Sequence, residues 1–160
     1  MIEIRSADDP EALAIAKRLI GAHFAAHSEH HDRESSEGII DALPQPYVPP
    51  RGGLWVAFVD GLGSGCAALR EIDDETGEVK RMYVDPDMRG NGIARKLANH
   101  VIDQARAIGY KRLRLGTLAS MAPAQSLYES LGFNSIPAYR PDEFGHTVFY
   151  ELVLDGDAAS

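Results

Sequence analysis

Val84-Asp85-Pro86-Asp87-Met88-Arg89-Gly90-Asn91-Gly92-Ile93-Ala94-Arg95 is the stretch that decides how this chain is read. An apolar strand ends at Val84, a turn holding Pro86 follows, and two glycines lead directly into helical spacing. Ile93, Leu97, Val101, Ile102, Ala105 and Ile108 share one face of that helix, and Gly109 stops it. Such a junction aims several unpaired backbone N–H groups, and the positive end of the helix dipole, at one point. Glycine lets backbone approach an anion without a Cβ in the way, and Arg89 and Arg95 add charge. The stretch reads as a phosphate-accepting turn; a turn whose glycines serve geometry alone is the competing reading.

Two well-known phosphate loops do not fit. A Walker loop requires Gly-x-x-x-x-Gly-Lys-Ser/Thr, which the chain lacks. A dinucleotide fold places Gly-x-Gly-x-x-Gly after its first strand, with an acid about 20 positions on. Here Gly90-Asn91-Gly92 leads to Ala94-Arg95 after the fourth strand, and Tyr110 to Leu115 holds no acid. A nicotinamide enzyme is disfavoured.

Working outward, Ile2 to Arg5 alternates as a first strand, and a helix is predicted from about Pro10 to about Phe24. Its apolar face is read as Leu13, Ala16, Lys17 and Ile20. The stretch His27 to Glu37 is polar, Ile39-Ile40 is a short apolar piece, and Pro44, Pro46, Pro49 and Pro50 predict an extended loop. Leu54 to Val59 and Ser64 to Arg70 read as a hairpin across Asp60-Gly61, and Glu78 to Val84 as the fourth strand. After the long helix come a strand centred on Leu113 to Leu115 and a helix from Met121 to Leu131. That helix has Ser120 as its N-cap, Pro123 in its first turn and Gly132 as its stop. Phe133 opens a further extended piece, and Val148 to Leu154 closes the sheet. The order β-α-(α)-β-β-β-α-β-α-β-β predicts a single α/β domain over residues 1–154, with helices on both faces of a mixed sheet, and a disordered tail over 155–160.

Composition narrows the function. With 160 residues, 44% hydrophobic and 25% charged, the chain has the balance of one globular domain. Its formal net charge of −8 argues against nonspecific nucleic-acid binding. Residues 80 to 114 nonetheless hold nine of the sixteen basic residues against three aspartates. A basic island in an acidic chain suits a small phosphorylated ligand better than a polymer. The single cysteine, Cys66, excludes an internal disulfide, and no leader-like or membrane-spanning run is present, so the expectation is a cytoplasmic protein without a membrane partner.

With these residues in view, a family resemblance emerges. Arg89-Gly90-Asn91-Gly92-Ile93-Ala94 resembles the Arg/Gln-x-x-Gly-x-Gly/Ala signature of the GNAT superfamily of acetyl-CoA-dependent N-acetyltransferases. Glu78 to Val84 looks like that family's fourth strand. Leu127-Tyr128-Glu129-Ser130-Leu131-Gly132-Phe133 looks like its Leu-Tyr-x-x-x-Gly-Phe element. The three occur in the family's order and spacing, over about residues 54 to 154. The resemblance implies a mostly antiparallel sheet of six or seven strands whose fourth and fifth members splay after a bulge. It also implies acetyl-CoA as cosubstrate, held by Met82, Tyr83 and Val84 along its pantetheine arm and by Arg89, Gly90, Asn91, Gly92, Ile93, Ala94 and Arg95 at its diphosphate. One departure is Met121, where many members carry asparagine.

The resemblance assigns chemistry as well. Acetyl transfer needs a neutral amine, a donor for the oxyanion and a proton for the departing thiolate. Tyr128 is the candidate general acid, because a phenol holds its proton at neutral pH. Glu78, eleven residues before Arg89, is the candidate base if burial raises its pKa; it also continues the acidic run Asp73, Asp74 and Glu75 as a solvated turn residue. The backbone N–H of Met82 is the implied oxyanion donor. Cys66, between Gly65 and Ala67, reads as a small apolar strand residue rather than a nucleophile.

His23, His27, His30 and His31 fall near one helical face, but without cysteine partners they read as acceptor-side wall rather than metal ligands, and no metal is expected. Tyr47, Trp55 and the proline loop are candidates for the same wall. Arg70, Arg81 and Arg140 are candidates to meet a substrate carboxylate or to sit as solvated surface charges. The expected partner is a primary amine, on a small molecule or a peptide, with the late strands offering an edge for a homodimer. A noncatalytic acyl-CoA-binding module remains the alternative.

Overall fold

The computed structural model describes residues 1–26, 33–142 and 145–154. Its elements are β1 (Ile2–Ser6), α1 (Pro10–Ala26), α2 (Arg33–Ala42), β2 (Gly53–Val59), β3 (Leu62–Asp73), β4 (Thr76–Val84), a single 3-10 turn (Pro86–Met88), α3 (Ile93–Ile108), β5 (Arg112–Leu118), α4 (Ala122–Ser130), β6 (Asn134–Ile136) and β7 (Thr147–Val153). The strands form one sheet in the order β1-β2-β3-β4-β5-β7-β6. Neighbours are antiparallel except β4 and β5.

Alternation along the central strands sends successive side chains to opposite faces, and both faces are dry. Leu54, Val56 and Phe58 of β2, with Cys66 and Ala68 of β3, pack under α1. Trp55, Ala57, Ala67 and Leu69 point the other way, onto Ile93, Leu97, Val101, Ile102 and Ala105 of α3. The α3 face is the one its spacing predicts. For α1 the buried residues are Ala12, Ala16, Leu19, Ile20 and Phe24, so the predicted face through Lys17 is corrected by a rotation of the helix.

Two local expectations are corrected. Arg33–Ala42, by contrast, forms the second helix that the predicted order holds in parentheses, over a stretch that reads as largely polar. Its apolar residues Ile39 and Ile40 dock against the α1 side of the sheet, so tertiary packing stabilises a helix whose own composition does not announce it. The proline segment is folded into turns, with Gln45, Tyr47 and Val48 donating to the carbonyls of Ala42, Pro44 and Pro46. Prolines lose a donor but keep an acceptor. Met121, not Ser120, caps α4, and without a side-chain hydrogen bond. The predicted tail over 155–160 lies outside the described residues.

Two features of β4 shape the site. It pairs with β5 only from Thr76 to Glu78, after which the strands part. On its other side, Cys66 pairs with Tyr83 but Ala68 with Lys80, so one extra residue is accommodated as a bulge. Arg81 lies in that bulge with a φ of 57°, a left-handed conformation unusual for a side chain of its size. The splay and the bulge leave the β5-facing edge of β4, from Val79 to Val84, without a strand partner.

Candidate active site

The gap between β4 and β5 is a groove of about 930 Å³. Residues 79–84 of β4 form one wall and residues 115–118 of β5 the other; the turn before α3 and the start of α4 close its ends. Of the residues predicted to hold a cosubstrate, Met82, Tyr83, Val84, Arg89, Gly90, Gly92, Ile93, Ala94 and Arg95 line this groove. Asn91 does not; its side-chain amide turns back onto the Met88 carbonyl at 2.9 Å.

The turn has the geometry its sequence implies. Gly90 and Gly92 have φ of 86° and 79°, and a Cβ on either would meet open space rather than protein. The N-cap of α3 is Gly92, with no side chain closing it, and the first amide in the helix ladder is that of Lys96, on the Gly92 carbonyl. The amides of residues 90 to 95 therefore donate to no acceptor among the described residues. A concave run of N–H groups with no Cβ in front is a fitting cradle for a diphosphate. Arg89 is partly engaged elsewhere, its Nε donating to the Val84 carbonyl at 3.0 Å, and Arg95 donates to Ser130 at 2.9 Å. The two arginines are thus partly committed to the protein, whereas the backbone amides of the turn are not. Gly92→Val is expected to raise the Kd for CoA about tenfold, from the ~1–2 kcal/mol that a left-handed β-branched residue costs. Calorimetric titration of CoA checks it, with circular dichroism confirming the fold.

Tyr128 reaches the groove from α4 while its ring packs edge-on against Phe133, centroids 5.5 Å apart. The residue is 4% exposed, and its hydroxyl makes no hydrogen bond among the described residues. Burial pushes the phenol well above its ordinary range. It is thus a phenol that burial keeps protonated, among the residues that line the groove.

Glu78 is fully buried at the other end, where β4 and β5 part. One carboxylate oxygen accepts from Arg70 Nε at 2.7 Å; the other accepts from Tyr139 Oη at 2.6 Å and Arg140 Nε at 3.0 Å. Burial alone would raise this carboxyl, but the Lys80 charge and the hydrogen bonds from Tyr139 and Arg70 outweigh it and hold it below its usual range. The condition set for Glu78 as a base, a raised pKa, is therefore not met. Both oxygens are occupied, and Glu78 does not line the groove.

Its neighbours Lys80, Arg81 and Arg140 do line it. Burial, opposed by Glu78 and reinforced by Arg81, Arg140 and Arg70, lowers the Lys80 ammonium to about 8. Arg81 is held by the Tyr47 hydroxyl at 2.9 Å and lies over the Phe24 ring. Lys80 was not singled out from the sequence, where it is one basic residue among nine; only the bulge turns it and Arg81 toward one space. Cys66 is buried, and burial pushes its thiol up to about 12, which suits packing. Among the described residues no group of histidines, cysteines or carboxylates is arranged to hold a metal; His27, His30 and His31 lie outside them. No helix among the described residues is long and apolar enough to cross a membrane.

The open, mostly antiparallel sheet parted between β4 and β5, with a glycine turn at the parting, is the architecture of acetyltransferase structures. Residues 13–133 match the model of the acetyltransferase (GNAT) family, and the chain belongs to that family. Uncharacterized N-acetyltransferase YjgM of Escherichia coli is 40% identical over 131 residues, covering 80% of this chain and 78% of YjgM. N-acetylaspartate synthetase of Rattus norvegicus is 42% identical over 98 residues, which is 60% of this chain but 33% of that protein. Among solved structures, yncA from Salmonella typhimurium with its cofactor acetyl-CoA superposes with a TM-score of 0.70 at 27% identity, covering 96% of this chain and 94% of that one. The acetyltransferase from Streptococcus agalactiae has a TM-score of 0.79 at 25% identity, covering 96% and 98%. The chain is accordingly an acyltransferase.

Proposed function

We propose that this protein moves the acetyl group of acetyl-CoA to a primary amine by direct attack. The observation that carries the proposal is the convergence on one groove of three things: the free amides of residues 90 to 95, the unpaired edge of β4 and the unpartnered Tyr128 hydroxyl. The yncA structure with acetyl-CoA supports the choice of cosubstrate. N-acetylaspartate synthetase, by its name, supports an acceptor of amino-acid size.

In this reading the amides of the turn bind the diphosphate, and the β4 backbone at Met82 and Val84 pairs with the pantetheine amides. The Met82 N–H stabilises the oxyanion as the amine nitrogen bonds to the carbonyl carbon. The C–S bond then breaks, and Tyr128 delivers its phenolic proton toward the departing sulfur, which leaves as the thiol. Glu78 positions Arg70, Arg140 and Tyr139, and the proton lost by the amine passes to water at the acceptor end.

Release of free thiol from acetyl-CoA, followed with a panel of primary amines, tests the reaction. Turnover with at least one class of amine, and acetylated amine by mass spectrometry, is the expected result. CoA binding without turnover on any amine would favour a noncatalytic acyl-CoA-binding module. Failure to bind CoA would remove both readings.

A further inference from the structure

Lys80 and Arg81 line not only the groove but also a second cavity, of about 530 Å³, on the acceptor side. Arg70 completes its charged lining, and the rest of the wall is the end of α2 and the proline turn, including Ile39, Ala42 and Tyr47. No carboxylate among the described residues lines this cavity. The surrounding cluster sets four cations, Arg70, Lys80, Arg81 and Arg140, against the single buried carboxylate of Glu78. Glu78 is already matched by Arg70 at 2.7 Å and Arg140 at 3.0 Å. Lys80 donates no hydrogen bond among the described residues, and Arg81 spends only its Nε, on Tyr47.

These two cations are held rather than free to swing into water. Arg81 is fixed from two sides by Tyr47 and by the face of Phe24, and its terminal nitrogens donate no hydrogen bond among the described residues, leaving a fork that can pair with a carboxylate. Half-buried cations in excess of their counter-ions are unfavourable until an anion joins them. The diphosphate is not that anion. Its cradle lies beyond the far end of β4, whereas Lys80 and Arg81 sit upstream of Met82, toward the acceptor. A polyamine or other cationic acceptor would be repelled here.

We infer that the acceptor is a small amino acid bearing two carboxylates, one for each of Lys80 and Arg81, whose amine is thereby presented at the acetyl end of the groove beside Met82. The inference rests on the acetyl-transfer reading and narrows its substrate. As a neutral amine nucleophile such a molecule carries two negative charges, which offset most of the excess of four cations over the single Glu78 carboxylate. The products are the N-acetyl dicarboxylate and free CoA.

The test compares aspartate and glutamate with asparagine, glutamine, a simple alkylamine and a tripeptide with an acidic N-terminus, by kcat/KM for thiol release. The acids are expected to exceed each comparator at least tenfold. Lys80→Met and Arg81→Gly are expected to raise the KM for the acid about tenfold, leave the KM for acetyl-CoA near wild type, and shrink the preference over the amides. Glycine accepts the φ of 57° at position 81, so the bulge survives that change. Amides or the acidic peptide serving as well as the acids, or variants that keep the full preference, would overturn the inference. Should no amine turn over, calorimetry on CoA-loaded protein decides it separately. Binding of aspartate or glutamate at least tenfold tighter than of their amides, and lost in Lys80→Met, upholds the pocket. Equal or absent binding refutes it, whatever becomes of the transfer reading.

Discussion

Tyr128→Phe is expected to lower kcat for acetyl transfer about 100-fold, within the range general acids contribute, with little change in the Kd for CoA. The hydroxyl has no hydrogen-bond partner among the described residues, so its removal leaves no orphaned donor or acceptor behind. The ring, packed on Phe133, stays in place, and melting temperature should hardly move. The loss falls on kcat because the phenol matters only when charge builds on sulfur. Because burial pushes the phenol up, the wild-type rate should show no titration of this group through neutral and mildly alkaline pH. Stopped assays of thiol release from pH 6 to 9 on both proteins check both statements. A variant within threefold of wild-type kcat would remove Tyr128 from the chemistry.

Glu78→Ala is expected to destabilise the fold by about 3 kcal/mol at pH 7, the lower end for breaking a buried pair. The lower end applies because Arg70 and Arg140 are still 40% and 31% exposed and recover some hydration. The pH dependence has a definite sign. The folded state holds this carboxyl below its ordinary value, so its stabilisation is present above about pH 4.3 and is lost as pH falls through the folded value. Wild type should therefore lose more stability than Glu78→Ala between pH 6 and pH 3, and urea melts at several pH values measure the difference. Glu78→Gln, which keeps the shape and part of the hydrogen bonding, separates positioning from base catalysis. As a positioning residue it should change the acceptor KM more than kcat and leave the acid limb of the kcat profile where it was.

The predicted strands and the two long helices were legible because their patterns are local. Leu54 to Val59 is apolar without interruption since both faces are covered, and α3 shows its stripe because one side meets the sheet. Arg33–Ala42 was legible only as an optional helix, because its stability comes from Ile39 and Ile40 docking beside α1, a contact made across sequence. The same holds for the α1 face: spacing admits Lys17, and only packing selects Leu19 and Phe24. In the site, the glycine turn could be read in advance since two glycines before a helix need no distant partner. The fate of Glu78 could not. Its acidic neighbours suggest a solvated turn, yet Arg70 from β3 and the adjacent Tyr139 and Arg140 from a distant loop enclose it.

The chain alone thus determined the order of elements, the glycine turn and the presence of a tyrosine on the fourth helix. Each depends on residues a few positions apart, whose effect on backbone conformation is settled by local sterics and hydrogen bonding. Tertiary structure decided which charges are spent and which remain. A carboxylate's proton affinity and a cation's freedom depend on what folding places within a few ångströms, and those neighbours come from strands and loops up to about sixty residues away.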